Sequence, residues 1–414
     1  MPLLFQFTVI ILEPFMGYAK PGASIKSSIK KYYFIEMKNI RYSKQKLDFT
    51  TDLRNSVNEY FSKNNIQPNG NWRIYVKTIF MAFLYLAPFI LMTSGLVSSV
   101  ALVLVCWLIM GLGMSGLGMV TMHDANHGSF SKNQKVNRFF GNSLYLLGGF
   151  PANWRYQHNT LHHGFTNIEG HDEDIAPPGV LRFSPHRPLK KMHRYQHIYA
   201  WFFYCLMTIS WIVAKDFKRL KKYEEMGAKL SNKRKFNRLL IDVIISKVLY
   251  YGIFLILPLF TIPVSWYWII GGFMLMHFTS GLVLSTIFQT AHVVPTSEYP
   301  VPDEEGELSN NWTIHQLYTT CDYSPKSSIF SWLVGGLNYQ VEHHLFPYIS
   351  HVHYKDISKI VQAKAKEYNL PYHVNKSFAQ AVWQHIKMLK LLGEYSSSVK
   401  RAAQLSKSHK VVAV

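Results

Sequence analysis

The sequence predicts an all-α integral membrane protein, with four transmembrane helices in two hairpins and a cytosolic helical cap that gathers clustered histidines. Three observations predict it. Of the 414 residues, 48% are hydrophobic, and they are concentrated in long uncharged stretches rather than spread at helical or strand spacing. Residues 78–122 hold no Asp, Glu, Lys, Arg or His, and residues 248–291 hold only His277 among those types. Finally, histidines with ligand-like spacing collect just outside these two stretches.

The first uncharged stretch has 45 residues, enough for two passes of about 20 residues each, and Thr93, Ser94 and Gly95 mark its turn. The second allows two more passes, with Pro258 and Pro263 where a hairpin can bend. The hairpins are placed at about 76–120 and 246–291. A third apolar run, Ile198–Ala214, is 17 residues long and borderline for a span. Histidine groups before and after the second hairpin can share one site only if an even number of crossings separates them. This run is therefore expected to lie along the interface, where Trp201, Tyr204 and Trp211 suit the head-group level. For the same reason the patch Phe139–Ala152 is expected to be half-buried or re-entrant. Tyr354–Tyr368 and Ser377–Tyr395 have apolar residues at three- and four-residue spacing, as amphipathic helices do.

Residues 37–395 form the expected composite domain, and residues 396–414 a polar basic tail. Residues 1–36 are apolar at their start but lack a basic leader and contain Glu13, a poor fit to a signal peptide. Met37 opens an ordinary polar start, MKNIRYSKQ, so residues 1–36 are a candidate non-native extension set by the choice of start codon.

The formal net charge is +20, which by itself fits nucleic acid, an anionic membrane face or an anionic substrate. Location discriminates. Ten Lys/Arg lie between Lys215 and Arg238, flanked by apolar stretches, which is where cytoplasmic segments of membrane proteins carry positive charge. The basicity is read as topology, and no nucleic-acid partner is expected. Cys106, Cys205 and Cys321 are widely spaced, which suggests neither a disulfide framework nor a thiolate metal site. Any metal must be held by nitrogen and oxygen.

Three histidine groups supply the nitrogen. His123-Asp-Ala-Asn-His127 follows the first hairpin, and its i, i+4 spacing puts both imidazoles on one helix face. His158-Asn-Thr-Leu-His162-His163 repeats that pair and adds a neighbour turned about 100° around the helix, so it can address two metals. Gln340-Val-Glu-His343-His344 supplies a pair beyond the second hairpin. Seven histidines exceed the four ligands of a mononuclear tetrahedral site and argue for two metals, with iron, zinc and copper the ions that imidazole suits. Asp124, Glu342 and Asp172 lie close in sequence and are candidate partners for the second imidazole N–H, and Glu173 and Asp174 adjoin Asp172.

HDANH, HNTLHH and QVEHH resemble the three histidine boxes of the membrane fatty-acid desaturases, in that family's order. Gln340 in place of a first His, followed by LFP at Leu345–Pro347, resembles the front-end group, which includes delta-5, delta-6 and linoleoyl-CoA desaturases. The similarity runs from about Met37 to Tyr395 and includes HDEDI at His171–Ile175. The resemblance implies two non-haem iron ions, O2 as co-substrate, an external electron donor and a fatty acyl substrate linked to CoA or lipid. It also implies a further ligand near the end of the fourth pass. His292 is preferred there over His315 of Asn311-Trp-Thr-Ile-His315, and Gln340 is a weaker candidate. Beyond the iron ligands no separate catalytic dyad is expected. Apolar tunnel walls are sought in the fourth pass and in Trp154, Tyr156 and Trp312.

A fused cytochrome b5 domain would carry His-Pro-Gly-Gly, which does not occur, so the expected donor is a ferredoxin or free cytochrome b5. The expected location is a bacterial inner membrane, with the endoplasmic reticulum as alternative and the site on the cytosolic side. A di-iron membrane hydroxylase of alkanes or lipids is the rival. A zinc hydrolase of the HExxH type would need Glu where Asp124 stands.

Overall fold

The computed structural model describes residues 40–231 and 235–394. The candidate extension 1–36, the tail 396–414, the outermost residues of the 37–395 domain and positions 232–234 of the basic run lie outside them.

Among the described residues the chain is mostly helical, with four short strands in two parallel pairs. Four helices are long and apolar enough to cross a membrane: Trp72–Thr93, Val100–His127, Phe236–Thr261 and Trp266–His292. The first and second pack against each other, and a short connection joins the third to the fourth. Gly95, with φ +78°, follows the first helix at the expected turn, a conformation that glycine adopts without a Cβ penalty. Pro263 lies in the short connection between the third and fourth helices.

Where the helices overrun the uncharged stretches, two lysines are paired inside the protein. Lys247, within the third helix, places Nζ 2.5 Å from Asp216 Oδ2 and 2.6 Å from the Gly148 carbonyl. Lys77, within the first, donates to His351 Nε2 at 3.1 Å. The second helix packs closely between the first and fourth. A Cβ on Gly113 would lie 2.5 Å from the Tyr85 backbone nitrogen, and one on Gly111 would lie 2.7 Å from the Met276 carbonyl. Small residues permit this approach where lipid gives no hydrophobic drive for helix association.

The run Ile198–Ala214 is not one straight helix. Lys191–Cys205 and Met207–Glu225 meet at a bend of 55°. The patch Phe139–Ala152 combines the end of helix Gln134–Gly141, a 3₁₀ turn at Asn142–Leu147 and Gly148 at φ +76°, and it buries Leu144, Leu147 and Phe150.

The expected amphipathic helices form as Tyr354–Glu367 and Phe378–Gly393. Ser377 caps the latter, its Oγ accepting from the Gln380 N–H. Tyr354–Glu367 buries Ile357, Val361 and Ala365 in one apolar cluster with Phe49, Leu53, Val57 and Phe61 of helix Leu47–Lys63. Phe378–Gly393 packs against the fourth membrane helix.

Candidate metal centre

The second membrane helix changes geometry where it reaches the first box. Its α-helical part ends at Gly116, residues Leu117–Met122 form a π turn, and His123–His127 resumes as α-helix up to Gly128 at φ +78°. The second box lies on another π segment, Tyr156–His162. There the His163 N–H donates to the His158 carbonyl five residues back, at 3.0 Å. Such π segments are uncommon and are frequent at functional sites.

The third box is helix Gln340–Leu345, whose first turn is held by Asp322 Oδ1 accepting from the Val341 N–H at 2.9 Å. Its preceding loop passes so close to the second membrane helix that a Cβ on Gly335 would lie 2.7 Å from the Met119 carbonyl. His292 is the last residue of the fourth membrane helix.

These elements bring eight histidines into one buried cluster. His123, His127, His158 and His343 form one group of converging ring nitrogens, and His162, His292 and His344 form a second. His163 lies between them, with ring centroids 4.8 Å from His127, 4.6 Å from His343 and 4.4 Å from His344.

The second box differs from its simple helical reading. An α-helix would put His158 and His162 together and turn His163 away. The π turn also brings His163 Nε2 to 3.3 Å from His158 Nε2, while His162 stays stacked on His158 at 5.3 Å between centroids and faces His292 and His344.

Hydrogen bonding leaves nitrogen lone pairs pointing into the cluster. In the second group each Nδ1–H is donated to an oxygen: His162 to Asp172 at 3.1 Å, His292 to the Thr319 carbonyl at 3.3 Å, and His344 to Gln316 Oε1 at 3.0 Å. That leaves Nε2 as the ligating atom, the arrangement usual for metal-bound imidazole. In the first group His343 Nδ1 meets the Tyr354 hydroxyl at 3.2 Å. The buried His127 Nε2, His292 Nε2, His343 Nε2 and His344 Nε2 have no hydrogen-bond partner. His123 Nε2 lies 3.1 Å from His158 Nε2. Buried imidazoles that face one another without partners are costly unless a cation lies among them, so the residues present fit two metal ions.

The electrostatics agree with ligand duty. Burial first, then neighbouring histidines, hold His158, His163, His343 and His344 well below the ordinary imidazole range, so they are neutral donors near pH 7. Burial also opposes charge on His162, but the Asp172 and Asp174 carboxylates beside it prevail and raise it to about 9. Those carboxylates make it a more basic ligand.

The remaining candidates take separate places. His315 is not in the cluster: its Nε2 donates to the Thr166 carbonyl at 2.8 Å. Gln340 is buried beside His292, and its Nε2 has no partner. Asp172 supports His162 directly. Asp124 serves His351 more closely than His123, accepting from His351 Nδ1 at 2.9 Å and the Ser350 hydroxyl at 2.8 Å, with His123 Nδ1 at 3.9 Å. Glu342 does not face a histidine. The Tyr372 hydroxyl donates to Asp322 Oδ2 at 2.6 Å and lies 3.0 Å from Glu342 Oε1, and burial raises both carboxyls, Glu342 most.

Of the aromatic wall candidates, Trp154 stacks on His158 with centroids 4.4 Å apart. Trp312 donates Nε1–H to the His163 carbonyl, and Tyr156 packs against Tyr223. Phe288, one helical turn before His292, lies 6.1 Å from His123 and extends the wall. Sequence reasoning missed Gln316, Thr319 and Tyr354, because an uncharged partner of an imidazole has no spacing signature.

Comparison with known proteins places these residues in context. A family model of fatty acid desaturases matches residues 98–376. The sn-1 linoleoyl-lipid 6-desaturase of Arthrospira platensis is 32% identical over 344 residues, covering 83% of this chain and 92% of the relative. The sn-1 linoleoyl-lipid 6-desaturase of Synechocystis sp. is 31% identical over 357 residues, covering 85% and 97%. The acyl-lipid (8-3)-desaturase of Physcomitrium patens is 34% identical over 354 residues, covering 84% and 72%.

Proposed function

From the premise that this chain belongs to the fatty acid desaturase family, we propose that it is a front-end desaturase of lipid-linked acyl chains. It is a membrane oxidoreductase that uses O2 and two electrons to place a double bond in a fatty acyl chain. The new bond forms on the carboxyl side of an existing one, at the delta-6 or delta-5 position, and the acyl carrier is a lipid rather than CoA. The relatives named for linoleoyl-lipid and acyl-lipid substrates support that choice of carrier.

The observation that carries the reading is the convergence of eight imidazoles, seven of them buried, with the Nδ1–H groups of His162, His292 and His344 anchored on outer oxygens. In this reading His123, His127, His158 and His343 would hold one iron, His162, His292 and His344 the other, and His163 would stand between them. Bound iron supplies the O2-dependent oxidation that an amino-acid side chain cannot perform.

The residues of this chain do the rest. Asp172, the Thr319 carbonyl and Gln316 hold Nδ1 protons away from the centre and fix each ring's orientation. Trp154 and Phe288 form an apolar wall that excludes water and leaves position along the chain as the basis of selection. Residues 37–395 make up the catalytic unit, its site faces the cytosol of a bacterial membrane, and a separate ferredoxin or cytochrome b5 delivers the electrons.

Expression in cells that lack polyunsaturated fatty acids, with linoleate fed and double bonds located in lipid and CoA fractions by gas chromatography, tests this. The expected result is a new carboxyl-side double bond, first in the lipid fraction and absent for His162→Ala. A hydroxylated product without an alkene would overturn desaturation, and first appearance in the CoA fraction would overturn the carrier.

A further inference from the structure

Away from the histidine cluster an apolar groove of about 610 Å³ opens on the outer face of the protein. One wall is the bent helix, with Ile212, Val213 and Phe217, and the other is the third membrane helix, with Ile244, Val248, Tyr251 and Ile256. Both walls carry π turns here, Trp211–Lys215 and Gly252–Ile256. Gly252 leaves the third-helix wall open: a Cβ there would meet nothing within 4 Å. Val248 is 65% exposed and Ile256 47%, so the groove faces the surroundings rather than the core. From Ile244 to Ile256 the helix rises about 18 Å. That is close to one leaflet, about half of a hydrocarbon core of roughly 30 Å.

Just beyond the lined part of the groove the bent helix turns basic. Val213, Phe217 and Lys221 are spaced four apart and share one helix face, so the apolar wall runs into a lysine. Lys218 adjoins it. Both lysines are exposed and, among the described residues, have no acidic partner, whereas neighbouring Arg219 and Lys222 are engaged by Glu173. Lys247, at the back of the groove, is neutralised by Asp216. An apolar slot one leaflet deep, ending in two free ammonium groups, matches an acyl chain attached to an anionic head.

We propose that this groove is a binding site for an anionic membrane phospholipid, with one acyl chain between the bent helix and the third membrane helix and the phosphate at Lys218 and Lys221. The site is separate from the metal centre and does not depend on the reaction assigned to it.

The test uses the full chain purified in a neutral detergent. Its unfolding temperature is measured with added phosphatidylglycerol or with phosphatidylcholine of the same acyl chains, and retained lipid is counted by native mass spectrometry. Wild type should retain phosphatidylglycerol in preference and gain several degrees more from it. Lys218→Gln with Lys221→Gln should retain both lipids equally. Gly252→Leu starts from a Cβ that meets nothing within 4 Å and favours helix, so it should fold as well as wild type yet narrow the slot and lose the lipid-dependent gain. Equal response of wild type to both lipids, or a Gly252→Leu protein that still retains phosphatidylglycerol, would overturn the proposal. So would disulfide-linked dimers formed by Val248→Cys, since they would assign the groove to a second copy of the chain.

Discussion

His385 donates its Nδ1–H to the carbonyl of Val293 at 2.8 Å, one residue beyond the metal-ligand candidate His292, and accepts from the Tyr204 hydroxyl at 2.6 Å. All three residues are buried, so the C-terminal helix and the bent helix clamp the end of the fourth membrane helix. Replacing His385 by Phe leaves that carbonyl unpaired, at a cost of about 1–3 kcal/mol. The expected outcome is a lower unfolding temperature and a preferential loss of metal from the group containing His292. Iron per chain and the unfolding curve check it; full metal content with reduced stability would reduce the clamp to a purely structural one.

Protonation of the same residue has a definite sign. Burial, only partly offset by the Val293 carbonyl, lowers His385 from 6.5 to about 4. The unfolded chain therefore binds the proton more readily, and the stability this group contributes is present above pH 6.5 and lost as pH falls toward 4. The full effect is on the order of 3 kcal/mol. Unfolding measured between pH 7 and 5 should fall more steeply for wild type than for His385→Phe, and parallel curves would refute this.

Asp172 accepts the His162 proton through both oxygens and also receives the Asn167 and Asp174 N–H groups. Asp172→Asn keeps the shape and removes the charge. Metal affinity should fall roughly 10–100-fold, the usual consequence of losing such an outer partner. Competition with a chelator followed by absorption spectroscopy measures it.

His292 and His315 give opposite expectations. His292→Ala should lose about one metal per chain, because its Nε2 points into the group with His162 and His344. His315→Ala should keep both metals and lose about 1–3 kcal/mol through the unpaired Thr166 carbonyl. Metal analysis of the two variants side by side decides between them.

The Lys247 and Asp216 pair is buried and links the third membrane helix to the bent helix. Lys247→Met leaves an uncompensated carboxylate, which costs about 3–5 kcal/mol, whereas combining it with Asp216→Leu should recover much of the loss. Thermal unfolding of the single and double variants tests this non-additivity.

The four membrane helices were legible because a span of about 20 residues without charge is a direct demand of the bilayer. The three histidine groups were legible because candidate ligands carried by one short helix must lie within a turn or so of each other, as neighbours or four to five residues apart. The sequence thereby determined the membrane class, and it pointed to the boxes and to His292 as the preferred extra candidate. It could not foresee that His163 turns back onto His158, because that depends on a π turn, which a histidine spacing does not encode. Nor could it find Gln316, Thr319 or Tyr354, or show that Asp124 turns to His351 and Glu342 to Tyr372. Those partners are chosen by which buried donors and acceptors meet across distant segments, and only the packed chain brings them within hydrogen-bonding distance.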